Sequence, residues 1–146
     1  MSEGVPRILL VDDTPDNLEA LQRALRHESA RLLTAGDGEA AWELLDQDPR
    51  VDLVLLDLMM PRLDGLSLLR RMKADQRFRE VPVVLQTADT SPERIAEGIA
   101  AGAFYYLTKP LDLQVLRGIV RSALETREEV LWVRLEGAAG PFRFRR

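Results

Sequence analysis

Five short apolar runs punctuate the chain, and each gives way to a polar turn and then to apolar positions at helical spacing. Ile8-Leu9-Leu10-Val11 ends in Asp12 and Asp13; Thr14-Pro15 then offers an N-cap and a proline at the first helical position, before Leu18, Leu21 and Leu25. Arg31-Leu32-Leu33-Thr34-Ala35 is a weaker strand closed by Gly36-Asp37-Gly38, and Ala40, Ala41, Leu44 and Leu45 mark a short helix that ends near Asp48-Pro49. Leu53 to Leu56 shows no polar alternation, the pattern of a strand covered on both faces. It ends at Asp57, and the chain turns through Met60-Pro61 and Asp64-Gly65 into a helix carrying Leu66, Leu68, Leu69 and Met72. Val81 to Leu85 predicts a fourth strand, with Pro82 tolerable near its start, ending at Gln86-Thr87-Ala88. Ser91-Pro92-Glu93 repeats the cap-then-proline signal for a helix through Ile95 and Ile99, closed by Gly102. Phe104 to Leu107 is the fifth strand, ending in Thr108-Lys109-Pro110, and a fifth helix runs from Asp112 through Leu113, Leu116, Ile119, Val120 and Leu124.

Strictly alternating strands and helices predict an α/β fold: a parallel sheet with helices on both faces and right-handed crossovers. In such sheets ligands bind outside the carboxyl ends of the strands. Asp12, Asp13, Asp57, Thr87 and Lys109 all fall at that edge, although they are far apart in sequence. Converging carboxylates repel; a like-charged pair at 4 Å costs about 4 kcal/mol at an effective dielectric near 20. Lys109 supplies one positive charge, and a hard divalent ion such as Mg²⁺, which takes one or two carboxylates and keeps several waters, is the natural addition. Mg²⁺, Lys109 and the Thr87 hydroxyl form the electrostatic clamp expected around a transferring phosphoryl group, with Asp57 the candidate nucleophile.

Composition narrows the chemistry further. The 146 residues fit one domain, and the absence of cysteine excludes disulfides, thiolate metal sites and cysteine nucleophiles. The single histidine, His27, falls near the end of the first helix, where a structural or solvent role suits it better than phosphorelay. Trp42 reads as packing on the second helix. A net charge of −4 argues against direct nucleic-acid binding by this domain, which would need phosphate-neutralising Lys and Arg. No apolar run reaches the ~20 residues of a membrane span, and the first four residues do not read as a signal peptide, so a cytoplasmic location without membrane attachment is expected.

With Asp12-Asp13, Asp57-x-x-Met60-Pro61-x-x-Asp64-Gly65, Thr87-Ala88, Tyr106 and Lys109-Pro110 in view, the sequence resembles the receiver domains of two-component response regulators, chemotaxis regulators among them. The resemblance covers roughly residues 6 to 126. It implies a flavodoxin-like (βα)5 three-layer sandwich with the five-stranded parallel sheet in order 2-1-3-4-5. By the same resemblance, Asp13, Asp57 and the main-chain carbonyl of Met59 would ligate Mg²⁺, with Asp12 acting mostly through a bound water, and Lys109-Pro110 would be a cis bond. Asp57 would accept a phosphoryl group from a histidine kinase or phosphotransfer protein. Thr87 would then move inward and Tyr106 follow, altering the face made by the fourth helix, fifth strand and fifth helix. Met59 and Asp89 would border the approach of the hydrolytic water. Such a chain is a phosphorylation-activated signalling switch that catalyses only its own phosphorylation and dephosphorylation.

Residues 1–126 are the expected receiver domain, and 127–146 a C-terminal helix extension and tail. Val130-Leu131-Trp132-Val133-Arg134-Leu135 keeps an apolar character past the family pattern, which is expected either to pair two copies or to lead into an output domain cut from a longer regulator. The face of the fourth helix, fifth strand and fifth helix is the other expected dimer surface, and a downstream protein the other expected target. Gly137 to Pro141 should break the helix, leaving Phe142 to Arg146 as a tail or the start of another unit. Two other classes stand beside the switch. An aspartate-nucleophile phosphatase or phosphotransferase of the haloacid-dehalogenase type would carry its Asp-x-Asp after the first strand, whereas here the nucleophile follows the third. A flavin-binding flavodoxin would need a Ser/Thr/Gly-rich phosphate loop where Asp12-Asp13-Thr14-Pro15 stands.

Overall fold

The computed structural model describes residues 5–60 and 62–136, with side chains up to residue 125. The strands are β1 (Arg7–Val11), β2 (Arg31–Ala35), β3 (Leu53–Asp57), β4 (Val83–Thr87) and β5 (Tyr105–Thr108), and they alternate with helices α1 (Pro15–Ala24), α2 (Gly38–Gln47), α3 (Gly65–Ala74), α4 (Pro92–Ala100) and α5 (Leu113–Glu136). All four pairings are parallel, and the sheet order is β2-β1-β3-β4-β5. The (βα)5 sandwich implied by the motifs is therefore the fold.

The side-chain period of two in each strand sorts the core into two layers. Leu9, Val11, Val54, Leu56, Val83 and Leu85 face α2 and α3, where Leu45, Leu68, Leu69, Met72 and Phe78 meet them. Ile8, Leu10, Leu53, Leu55 and Val84 face α1 and α5, meeting Leu21, Leu25, Leu116 and Val120. Every residue of β3 and β4 is buried, as the unbroken apolar run in β3 predicts, whereas edge strand β2 is covered only in part. Trp42 does pack: its ring meets Phe78 edge-on at 5.7 Å between centroids, with the Arg71 guanidinium 5.2 Å from the Trp42 centroid. α4 is the loosely seated helix. Its one buried residue is Gly98, where a methyl group would collide with Leu85 Cδ1 and touch the Tyr106 ring.

Several local expectations shift. β4 begins at Val83 rather than Val81, because Pro82 has no N–H for the ladder and contributes only its carbonyl, which accepts from Val54 N (3.1 Å). Thr14 occupies the N-cap of α1, but its side chain makes no capping bond; Asp12 Oδ1 takes the Thr14 N–H instead (2.9 Å). α1 ends at Ala24, so exposed His27 lies in the turn beyond it. The α5 backbone stays helical through Glu136. Pro61, the expected break at Gly137 to Pro141, the tail Phe142 to Arg146 and the side chains of Val130 to Leu135 lie outside the described residues.

Candidate functional site

β1 and β3 run side by side and in register, so Val11 pairs with Leu56 and the next residues, Asp12 and Asp57, emerge together at the carboxyl edge. Asp12 is fully buried and Asp57 nearly so, while Asp13 is exposed. One oxygen from each of the three lies within 4.8 Å of the others, a grouping able to hold a metal ion. Asp12 is held by the Thr14 N–H and by the Asn17 amide at 3.4 Å. Asp57 Oδ1 accepts from Met59 N (3.2 Å), a two-residue loop-back that aims the carboxylate along the edge.

Lys109 enters from the end of β5. Its own N–H donates to the Thr87 carbonyl (2.8 Å), which fixes where its side chain starts, and the Lys109-Pro110 bond that follows is cis. Its ammonium lies 3.1 Å from Asp12 Oδ2 and 3.5 Å from Asp57 Oδ2. One cation against three acids leaves an imbalance that falls on Asp57. Burial, and next the charge of Asp12, push its carboxyl from 3.8 up to about 6; Lys109 and the Met59 N–H pull the other way, and Asp13 adds to the rise.

Thr87 is buried, and its Oγ1 accepts from Asp89 N (3.0 Å). Tyr106 is half-buried and donates its hydroxyl to the Asp89 carbonyl (2.7 Å). Both expected switch residues thus converge on the backbone of Asp89 rather than on Asp57. The Met59 side chain is 55% exposed. Beside Asp13 a cleft of about 330 Å³ opens, lined by Leu58, Met59, Met60, Asp64 and Arg94. The loop under it is tied down by Arg62, in the left-handed region at φ 60°, whose guanidinium reaches Asp37 Oδ2 at the start of α2 (2.7 Å).

Local pattern leaves the packing of three residues unread. Gly65 sits where a side chain would run into the Asp57 carbonyl and Leu58 Cα, so a glycine lets α3 start against the strand end that carries Asp57. Gln86 ends an apolar run, where water could serve it, yet it is only 2% exposed and its Nε2 has no hydrogen-bond partner among the described residues. Arg94 is the third; only long-range packing brings it over the cleft.

Residues 8–121 match the response regulator receiver domain family. The chain belongs to that family. Among its curated relatives, the response regulator PleD of Caulobacter vibrioides is 39% identical over 135 residues, covering 92% of this chain and 29% of PleD. The two-component response regulator ORR3 of Oryza sativa is 36% identical, covering 75% of this chain and 83% of ORR3. The solved structure of the chemotaxis protein CheY4 of Vibrio cholerae superposes with a TM-score of 0.77 at 26% identity, covering 83% of this chain and all of that one. This receiver domain therefore spans less than a third of PleD but most of the length of ORR3. As a receiver of two-component signalling it leaves the phosphatase and flavodoxin readings without support. Among the described residues no helix is long and apolar enough to cross a membrane.

Proposed function

We propose that this receiver domain is a phosphorylation-activated switch in which Asp57 accepts a phosphoryl group from a histidine kinase or phosphotransfer protein. The observation that supports the reading is the convergence of Asp57 with Asp12 and Asp13 within 4.8 Å, under a Lys109 ammonium 3.1 Å from Asp12 and 3.5 Å from Asp57. With its carboxyl at about 6, Asp57 is mostly ionised at neutral pH and able to attack phosphorus. An Asp57 oxygen bonds to phosphorus as the bond from phosphorus to the donor's imidazole nitrogen breaks; the electron pair leaves with the ring, which then takes a proton. Lys109 offsets negative charge on the phosphoryl oxygens, and its tie to Thr87 keeps it there.

The acidic cluster fits Mg²⁺: hard oxygen donors only, three of them within 4.8 Å, and an excess of negative charge that one lysine does not balance. Asp12, Asp13, Asp57 and the Met59 carbonyl would hold the ion, which when bound offsets charge on the transferring group. The proposed relay rests on the shared Asp89 backbone. Drawing the Thr87 hydroxyl toward a phosphoryl oxygen would break its bond to Asp89 N. The loop whose carbonyl holds Tyr106 would then shift, and with it the face of α4, β5 and α5. Such a switch acts in the cytoplasm and reports to an output domain or a downstream protein.

Treatment with acetyl phosphate and Mg²⁺ should place one phosphoryl group on the protein, located at Asp57 by mass spectrometry. Chelation of Mg²⁺ should abolish it. A label that persists in Asp57→Asn would sink the assignment.

Residues 1–126 form the proposed receiver and 127–146 its extension. If the apolar run Val130 to Leu135 pairs two copies along α5, light scattering should find a dimer for the whole chain and a monomer for a version ending at Thr126. Two monomers would rule that seam out.

A further inference from the structure

Arg94 stands in the first turn of α4, its backbone N–H on the Ser91 hydroxyl (3.4 Å), and its side chain reaches back across the mouth of the site instead of out to water. One guanidinium nitrogen lies 3.6 Å from Met59 Sδ, another 3.1 Å from Glu97 Oε1, and Nε is 3.8 Å from Asp89 Oδ2. The Glu97 contact is a hydrogen-bonded pair, but one between side chains open enough to solvent to hold only lightly; the thioether is a weak acceptor and the Asp89 pair is long. Asp89 is meanwhile served by the Ser91 N–H (3.0 Å) and does not depend on Arg94.

The residues around the cleft explain why a cation is wanted there. Asp13 and Asp64 line it and Asp89 stands beside it, so an anionic phosphodonor approaching Asp57 meets negative charge first. Lys109 lies deeper, engaged by Asp12 and Asp57, and Arg94 is the one cation among the lining residues. A guanidinium fork matches two phosphoryl oxygens at once, which an ammonium does not.

We propose that Arg94 is a donor-binding residue of the phosphoryl-transfer site: its guanidinium, held at rest between Glu97, Asp89 and Met59, turns to the oxygens of the incoming phosphoryl group, with Glu97 and Asp89 as its resting counter-ions. This rests on Asp57 being the phosphoacceptor. Asp89 then restrains phosphorylation by holding Arg94 back, in addition to bordering the approach of water.

The test is the rate of Asp57 labelling by acetyl phosphate in Mg²⁺ buffer, on the full chain, at low and high ionic strength. Arg94→Gln should lower kcat/KM about tenfold, the size of one charge-assisted hydrogen bond, and should flatten the fall of the rate with salt. Arg94→Lys should restore part of the loss. Asp89→Asn should speed labelling when Arg94 is present and do little in an Arg94→Gln background, a coupling that a merely structural role would not give. Arg121→Gln, whose guanidinium is engaged with Glu28 away from the cleft, controls for net charge. Wild-type protein that labels at Asp57 while Arg94→Gln labels equally fast, or no faster or slower than Arg121→Gln, overturns the inference alone. Wild-type protein that takes no label overturns it together with the proposed function.

Discussion

In metal-free buffer at pH 7, Asp57→Asn should be more stable than the parent chain by about 1–2 kcal/mol, although it loses the proposed phosphoacceptor. The sign follows from the direction of the shift. Asp57 holds its proton more tightly in the fold, at about 6, than at its ordinary 3.8. Between those values the folded state binds more protons than the unfolded one, so stability falls as pH rises through that window and the full loss is present above about 6. Each factor of ten in acidity is worth about 1.4 kcal/mol, which bounds the effect near 3 kcal/mol, and solvent entering from the exposed Asp13 side reduces it. Asparagine keeps an acceptor for the Met59 N–H without the charge that burial and Asp12 oppose. Urea unfolding in chelator at pH 4 and pH 7 makes the comparison: the two proteins should differ little at pH 4 and clearly at pH 7. Saturating Mg²⁺ should narrow the gap, since an ion bound only by the folded parent stabilises it by mass action. A gap of equal size at both pH values would mean that the charge on Asp57 is not what strains the site.

Gly65→Ala should damage both stability and chemistry, because the atoms it would strike are backbone and cannot rotate aside. The Gly65 N–H donates to the Leu58 carbonyl (3.2 Å), and a methyl there would overlap the Asp57 carbonyl and crowd Leu58 Cα. Relief requires moving either α3 or the end of β3. Overpacking of this kind costs about 1–3 kcal/mol, and a displacement of Asp57, the proposed nucleophile, by about 1 Å is enough to lower the labelling rate about a hundredfold. Gly118, on α5, has nothing within 4 Å of the same added atom. Gly118→Ala should therefore stabilise the protein by up to about 1 kcal/mol through helix propensity and leave labelling alone. The denaturation midpoint and the initial rate of acetyl phosphate labelling read both effects. A Gly65→Ala protein that keeps wild-type values in both would show that the loop from Leu58 to Gly65 can give way.

Much of this was legible in the sequence because it is written locally. The unbroken Leu53 to Leu56 run reads as a strand covered on both faces, and β3 is buried throughout. Asp12, Asp57, Thr87 and Lys109 were placed at one edge by the rule that strand ends share an edge in a parallel sheet, and the short contacts of Lys109 with Asp12 and Asp57 agree with that placement. What stayed hidden depends on pairs far apart in the chain. The Lys109–Asp12 contact joins residues 97 positions apart, while the same Asp12 takes the Thr14 N–H through a local two-residue loop-back. Gln86 has the sequence neighbours of an ordinary strand end, yet β4 lies inside the sheet between β3 and β5 and its Gln86 is buried. Arg94 looks like any solvated helix residue until Met59, 35 positions earlier, comes within reach of its guanidinium.

The single glycine by which α4 is buried has a consequence for how the molecule comes apart. A helix whose one buried residue is a glycine, with Ile95 only half-buried, has little apolar area to lose on opening, so its amide protons should exchange with deuterium well before those of β3 or β4, by a local opening that leaves the sheet intact. The exposed flank of that helix, with Ile99 61% exposed, is also where a protein partner could be gripped. Any partner that covers Ile99 would slow exchange in α4 first. A partner bound on that flank would cover a weakly protected segment of the receiver domain, and deuterium uptake there would read its occupancy before any change reached the core.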